Sequence, residues 1–403
     1  MRGADIQPAG TPGAARGTAA GDHRDDDAGR FRTPLPGDRR SAVRSGHARM
    51  ESILPARGSS QPGAGAVLRR REHAPWAGSA HGRTVGALGG GHADVGSGFD
   101  QRVPRDGYAW WYLDALSDDG RFALTLIALV GGVFSPYYAR ARARGEGDPL
   151  NHCAFNVALY GASGKRWALT ERGRDRVHTT ARSLAIGPSS AAWEGDALAV
   201  SIDEVTAPFP SRIRGVVRLY PGALVDESFA LDQEGRHRWR PIAPCARVEV
   251  RLDQPALRWA GRGYFDANWG TRPLERDFSG WHWCRAALPG GAAVLYDVAQ
   301  RNGENLSLAL RFGEAGGIQR LPPPAWAQLP PTRWRLARRT RAENGAARVL
   351  RTLEDTPFYA RSLLSAQLFG ERTTAVHESL SMRRFSARWV QMLLPFRAPR
   401  APW

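Results

Sequence analysis

The segment ALAVSIDEVTAPFPSRIRGVVRLY (residues 197–220) reads as two β-strands joined by a proline-bearing turn. Its halves, ALAVSIDEV (197–205) and RIRGVVRLY (212–220), are short and each carries three β-branched residues. The TAPFPS between them cannot continue a strand, because proline has no N–H to give to a ladder. The same pattern repeats in both directions. Upstream lie ALTLIALV (123–130), AFNVALYG (154–161) and RWALTE (166–171); downstream lie CARVEVRL (245–252), GAAVLYDV (291–298), LSLALRF (306–312) and RWRLARRT (333–340). Turn signals such as Ser117-Asp118-Asp119-Gly120 and Ala162-Ser163-Gly164-Lys165 separate them. No long amphipathic helix interrupts the series. Short strands at regular spacing predict an all-β fold of sandwiches or barrels rather than βαβ units. Some 300 residues exceed a single barrel, so two β domains are expected, 98–255 and 256–403.

Residues 1–97 differ in kind. They are rich in Gly, Ala, Arg, Pro and Ser with scattered acids, and no strand or helix period persists. The stretch reads as disordered, and it is also compatible with an over-extended reading frame whose true start lies near Met50 or later.

The 403-residue chain carries a formal charge of +17 and a pI near 10.9. Nearly every basic residue is Arg, which points to a GC-rich genome as much as to a partner. No nucleic-acid module or focused basic stripe is recognisable, so nucleic acid is not expected as a partner. A peripheral contact with anionic membrane lipid suits the charge better. Cys153, Cys245 and Cys284 lie far apart with no CxxC spacing, which supports neither a zinc site nor a disulfide framework. A reducing, cytoplasmic compartment is expected. The N-terminus has no apolar core of a signal peptide, and the longest apolar run, Phe122 to Phe134, is short of the ~20 residues of a membrane helix. The closing segment FSARWVQMLLPFRAPRAPW (385–403) mixes aromatic and basic residues in a way that suits a membrane interface. Pro395 stops any long amphipathic helix there, which favours an extension packed on the core.

Two segments carry candidate chemistry, GRHRWRPIAP (235–244) and GRGYFDANWG (261–270). If both are strands, His237 and Trp239 share one face, and Tyr264, Asp266 and Asn268 share another with Phe265 opposite. Two such faces on one cavity would bring together a carboxyl, an imidazole, a phenol and an indole. That set suits acid chemistry on an isolated alkene. A carboxylic acid kept neutral by burial can supply a proton, and aromatic faces can stabilise the resulting cation. Against this, an Asp in a Gly-rich segment is usually a turn former or a surface residue. Tyr108-Ala109-Trp110-Trp111-Tyr112-Leu113-Asp114 and Trp281-His282-Trp283 read mainly as packing, with pocket lining as a second role. His152 and Cys153 would point to opposite faces and so cannot form a catalytic pair. His377-Glu378 lacks the HExxH continuation of a metal site, and no GxGxxG, P-loop or nucleophile elbow appears.

The chain resembles the acyclic carotenoid 1,2-hydratase family, also called hydroxyneurosporene synthases, over about residues 98–398. The resemblance is carried by FDQRVPRDGYAWWYLDALSDDGRFALTLIALVGGVFSPYYARAR, GDPLNHCAFNVALYG, RWALTERG, GRHRWRPIAP, GYFDANWG and HESLSMRRFSARWVQMLLPFR. It implies a pair of lipocalin-like β domains and cofactor-free hydration of the terminal C1=C2 bond of linear carotenoids such as neurosporene and lycopene. It also implies a place in spheroidene- or spirilloxanthin-type pathways of phototrophic bacteria, on the inner membrane. The family's acid corresponds to Asp266, and its supporting groups to His237, Trp239 and Tyr264. The expectation is that Asp266 protonates C2, that Trp239 and Tyr264 shelter the cation, and that His237 hydrogen-bonds Asp266 or positions the water. The rivals are a lipocalin-like carotenoid carrier without chemistry and an acid-dependent terpenoid isomerase.

Overall fold

The computed structural model of the chain describes residues 98–161 and 164–401. The expected disordered segment 1–97 and the turn residues Ala162 and Ser163 lie outside the described residues.

Among the described residues the strands form a twelve-stranded sheet, a seven-stranded sheet and a two-stranded hairpin, with every strand pairing antiparallel. The runs read from the sequence fall on strands Ala123–Val130, Cys153–Gly161, Gly164–Arg172, Ala197–Val205, Arg212–Pro221, Gly291–Gln300 and Asn305–Gly313. One run is corrected. RWRLARRT (333–340) is not a strand until Arg338, where the strand Arg338–Arg341 begins. Before it the backbone turns, with Arg335 at φ 55° and its N–H donated to the Thr332 carbonyl at 2.8 Å. The Thr332 hydroxyl accepts the Leu336 N–H at 3.2 Å, a local alternative to the ladder.

The middle of the first sheet sets the stage. Strand Tyr108–Ser117 lies beside Leu257–Gly270, which lies beside His237–Gln254. The expected domain division near residue 255 falls in the turn between these last two strands of one sheet. The chain passes to the second sheet only after Gly270, through a short link that ends in the helical turn Leu274–Asp277. In the second sheet Phe278–Leu288 lies between Gly291–Gln300 and Glu371–Ser381, and Tyr359–Leu368 follows.

Side-chain alternation sorts the core into three layers. Along Tyr108–Ser117, the residues Ala109, Trp111, Leu113 and Ala115 enter a cluster inside the curl of the first sheet, with Leu126, Phe155, Val200 and Phe265. A second cluster, with Leu295, Leu364 and Ala375, covers the face of the second sheet turned away from the first. Between the two sheets lies a third layer, and it is aromatic: Tyr108, Tyr112, Trp239, Tyr264, Trp283 and Tyr296. The central strands are therefore buried on both faces, which is why their sequences read as nearly continuous apolar runs with isolated polar residues. Those polar residues mark the site.

Candidate active site

Antiparallel register brings the groups together. Tyr112 is paired with Asp266, Asp114 with Tyr264, and Trp239 with Asn268. Tyr264, Asp266 and Asn268 point into the aromatic layer, as strand alternation predicts. The Asp266 Oδ2 accepts the Trp239 indole N–H at 2.8 Å and the Tyr264 hydroxyl at 2.7 Å. Its Oδ1 lies 3.3 Å from the Asn268 amide nitrogen. Asp266 is only 3% exposed. Burial pushes its carboxyl up from 3.8 to about 8. The Trp239 and Tyr264 hydrogen bonds pull the other way but are outweighed, and the carboxylates of Glu378 and Asp114 add to the rise. Asp266 is therefore mostly neutral at pH 7, and the two donors on Oδ2 are already placed for the charge that appears when its proton leaves.

The carboxyl faces a cavity of about 440 Å³ between the two sheets. Near Asp266 its wall is Tyr112, Trp281, Trp283 and Tyr296. Trp283 meets Tyr112 edge-on at 5.6 Å and Tyr264 at 5.2 Å between ring centroids. Trp239 and Tyr264 are wholly buried and are not part of the cavity wall; they stand behind the acid as its hydrogen-bond donors. The rings that line the cavity beside the acid are Tyr112, Trp283 and Tyr296, where the sequence led one to expect Trp239 and Tyr264.

His237 is also displaced from its expected place. It pairs with Gly270, four residues along the strand from Asp266, or about 13 Å at ~3.3 Å per residue. Its Nδ1 shares a 2.9 Å hydrogen bond with the Tyr108 hydroxyl, and its Nε2 one of 2.8 Å with Asp277. It neither touches Asp266 nor lines the cavity. Burial lowers its pKa, against the hydrogen bond its ring makes to the Asp277 carboxyl. Gly270 makes this packing possible, since a Cβ there would stand 2.6 Å from both His237 Nδ1 and the Tyr108 ring.

A second polar group, not read from the sequence, faces the same cavity. Glu378 comes from the second sheet, where it pairs with Trp283 on one side and Arg361 on the other. It accepts the Tyr112 hydroxyl at 2.8 Å and a hydrogen bond from Arg361. Arg361 also donates to Tyr112 and, at 2.6 Å, to Asp114, which Arg285 holds at 2.5 Å. The signal for Glu378 was present. In Val376-His377-Glu378-Ser379-Leu380 it is a lone acid between two apolar residues of one face. Its neighbour His377 points to the opposite side and bonds the Arg339 carbonyl at 2.9 Å.

The other candidates fall into place. Trp281 and Trp283 share the cavity face, whereas His282 turns away to the Ser379 hydroxyl at 2.8 Å. His152 bonds Glu171 at 2.8 Å while Cys153 lies against backbone carbonyls, so the pair does not meet. All three cysteines are free. Among the described residues no cluster of His, Cys, Asp or Glu is placed to hold a metal ion, and no helix is long and apolar enough to cross a membrane.

Two curled antiparallel sheets around an apolar cavity with one neutral acid define an all-β, lipocalin-like protein. Among solved structures, the putative AttH of Nitrosomonas europaea matches this fold with a TM-score of 0.50 and 12% identity, over 74% of this chain and 98% of that one. The family model for the carotenoid hydratase CrtC matches residues 126–403. An acyclic carotenoid 1,2-hydratase of Thiocapsa roseopersicina is 52% identical over 99% of both chains, and that of Rubrivivax gelatinosus 48% identical over 93% of both. The chain belongs to the carotenoid hydratase family. The T. roseopersicina match also spans the first 97 residues almost entirely, so that stretch has a counterpart in a relative, where the sequence reading left it outside the resemblance.

Proposed function

We propose that this chain adds water across the terminal C1=C2 bond of acyclic carotenoids such as neurosporene and lycopene, giving a 1-hydroxy carotenoid by acid catalysis at Asp266. The observation that carries this reading is the neutral Asp266 carboxyl at the wall of an aromatic cavity. A carrier needs no such acid; burying one has a cost, on the order of 5 kcal/mol against its ionised form.

The chemistry balances without a further reagent. The Asp266 proton goes to C2, the π bond supplies the electron pair, and C1 becomes a tertiary cation. The carboxylate left behind is held by the Trp239 N–H and the Tyr264 hydroxyl. The faces of Tyr112, Trp283 and Tyr296 stabilise the cation through their ring quadrupoles. Water then attacks C1 and loses a proton. Glu378, a carboxylate held by Arg361 and Tyr112, takes that proton and returns it to Asp266 through water. Two carboxyl groups thus take opposite roles because their surroundings differ: one is neutral among apolar rings, the other is paired with a guanidinium.

The test uses purified protein with lycopene or neurosporene in liposomes made in heavy-oxygen water, with nothing else added. The expected product gains one labelled water. Unchanged carotenoid would leave the carrier reading, and an unlabelled isomer the isomerase reading. Asp266→Asn keeps the shape and removes the acid, so its hydration rate should fall by at least ~100-fold with the fold intact. A rate near wild type would overturn the mechanism. Glu378→Gln should also lose at least ~100-fold, while its mixture of lycopene and product at equilibrium, approached from either side, stays unchanged.

A further inference from the structure

The helix Arg388–Arg397 departs most from an ordinary protein surface. Its inner side is apolar as usual, with Val390 buried and Leu394 half-buried against the cavity. Its outer side is apolar too. Trp389, Met392, Leu393 and Phe396 recur at i, i+3, i+4 and i+7, one stripe of a helix, and are 49%, 74%, 49% and 68% exposed. Trp334, also 49% exposed, stacks on Trp389 with ring centroids 6.0 Å apart. Of the ten large apolar side chains exposed among the described residues, five gather here, and a contiguous patch of this kind calls for a partner.

The rim indicates which partner. Arg333, Arg335, Arg383, Arg388 and Arg397 are exposed around the stripe. After Glu378 the chain carries five Arg and no Asp or Glu. The patch is also held in shape. Arg384 donates to the carbonyls of Trp334, Arg335 and Pro357, and the Ala401 N–H to that of Glu171, so loop and helix form one platform. An apolar stripe ringed by arginines matches the acyl boundary of a bilayer beneath anionic headgroups, rather than a protein surface.

The platform is also the mouth of the cavity. Trp334, Leu393 and Arg397 belong at once to the exposed patch and to the cavity wall. We infer that this helix and Trp334 dock the open end of the cavity on an anionic phospholipid bilayer. This deepens the carotenoid reading and rests on it for its purpose. A pocket of this size takes a drug-sized molecule, so a long polyene enters by one end while the rest remains beyond the mouth, in lipid.

Vesicle sedimentation of the full chain tests the docking without any carotenoid. Wild type should bind vesicles of equimolar phosphatidylcholine and phosphatidylglycerol at least ~10-fold more tightly than vesicles of phosphatidylcholine alone, and less at high salt. Met392→Ser with Phe396→Ser, two exposed side chains outside the cavity wall, should weaken binding at least ~10-fold. Arg388→Glu serves as an independent variant that leaves the apolar stripe in place, and it should weaken binding only to the anionic vesicles. The inference is overturned if wild type stays in the supernatant with both vesicle types. It is equally overturned if both variants bind as wild type does, or if the stripe proves to join two copies of the chain, seen as a dimer that the double variant dissociates without change in vesicle binding. Hydration of carotenoid in detergent should be unchanged in the double variant and fall at least ~10-fold in vesicles. Vesicle binding with no hydration anywhere would sink the hydratase reading and leave the docking surface standing.

Discussion

At Asp266 the balance of burial against hydrogen bonding fixes a pH dependence. In the proposed reaction the neutral acid is the reactive form, so the hydration rate should hold up to about pH 8 from neutral pH and fall about tenfold per pH unit above it. A bell with its alkaline limb near pH 5 would contradict the assignment. The same proton links to stability. Unfolded, Asp266 titrates near 3.8; folded, near 8. Between those values the folded protein holds one proton more than the unfolded chain, so stability falls as pH rises from about 4 to about 8 and levels off above. Asp266→Asn removes that slope, and its Tm should exceed that of wild type increasingly over this interval. Its carbonyl can accept from Trp239 and Tyr264 as Oδ2 does, and its amide can donate to the Asn268 oxygen, which is buried without a partner. Tyr264→Phe deletes one donor to Oδ2. The alkaline limb should then move to higher pH while the plateau rate drops about tenfold, because the carboxylate formed in the reaction has lost one of its hydrogen bonds. At this scale much could be read from the sequence. Tyr264 and Asp266 are two residues apart, and alternation alone puts them on one face. Glu378 and Arg361 could not be joined to them in that way, because their meeting depends on how two sheets pack, and periodicity carries no record of that.

Strand register decides which candidates work together. Trp239 and His237 share a face of one strand, yet only Trp239 reaches Asp266, because His237 stands opposite Gly270. The prolines of RPIAP sharpen the difference. Pro241 and Pro244 lack ladder donors, and the pairing with the Asp266 strand shifts register twice beyond Arg240. Spacing within each segment was legible; the register between them was not, since it depends on these bulges. His237 therefore reads as a tie between elements. It joins Tyr108 of the first strand to Asp277, in the helical turn that leads into the second sheet. His237→Ala should lower stability by about 2–4 kcal/mol, as the buried Tyr108 hydroxyl loses its partner and a cavity opens. In the protein that remains folded, the alkaline limb near pH 8 should stay in place, as Asp266 is about 13 Å away along the strand. A shift of that limb in the His237 variant would restore the direct role expected from the sequence. The turn at Thr332–Leu336 shows the same limit. Its residues have strand-like composition, but a left-handed Arg335 and the hydrogen bond that the Leu336 N–H donates to the Thr332 hydroxyl divert the chain.

Across the whole molecule, the two sheets meet through an aromatic layer crossed by one ionic network. Asp114 of the first sheet is bound by Arg285 and Arg361 of the second, and Arg361 also holds Glu378. All four are nearly buried, with two positive and two negative groups. Balanced charge explains why such a network persists in an apolar layer, where any single unpaired member would be costly. It also couples stability to the proposed chemistry, because the network fixes Glu378 at the cavity wall. The two contributions can be separated. Arg361→Met leaves Asp114 and Glu378 short of positive charge, and should lower stability by about 3–5 kcal/mol. Adding Glu378→Gln removes one of the two stranded carboxylates. The double variant should regain at least half of the lost stability, read as Tm, yet hydrate no carotenoid, because the group proposed to receive the water proton is gone. If the double variant recovers both Tm and hydration, Glu378 serves only to join the sheets, and the water proton must return directly to Asp266. If it recovers neither, the guanidinium of Arg361 is needed for the fold even where no second carboxylate stands beside it, and Asp114 alone accounts for its place between the sheets.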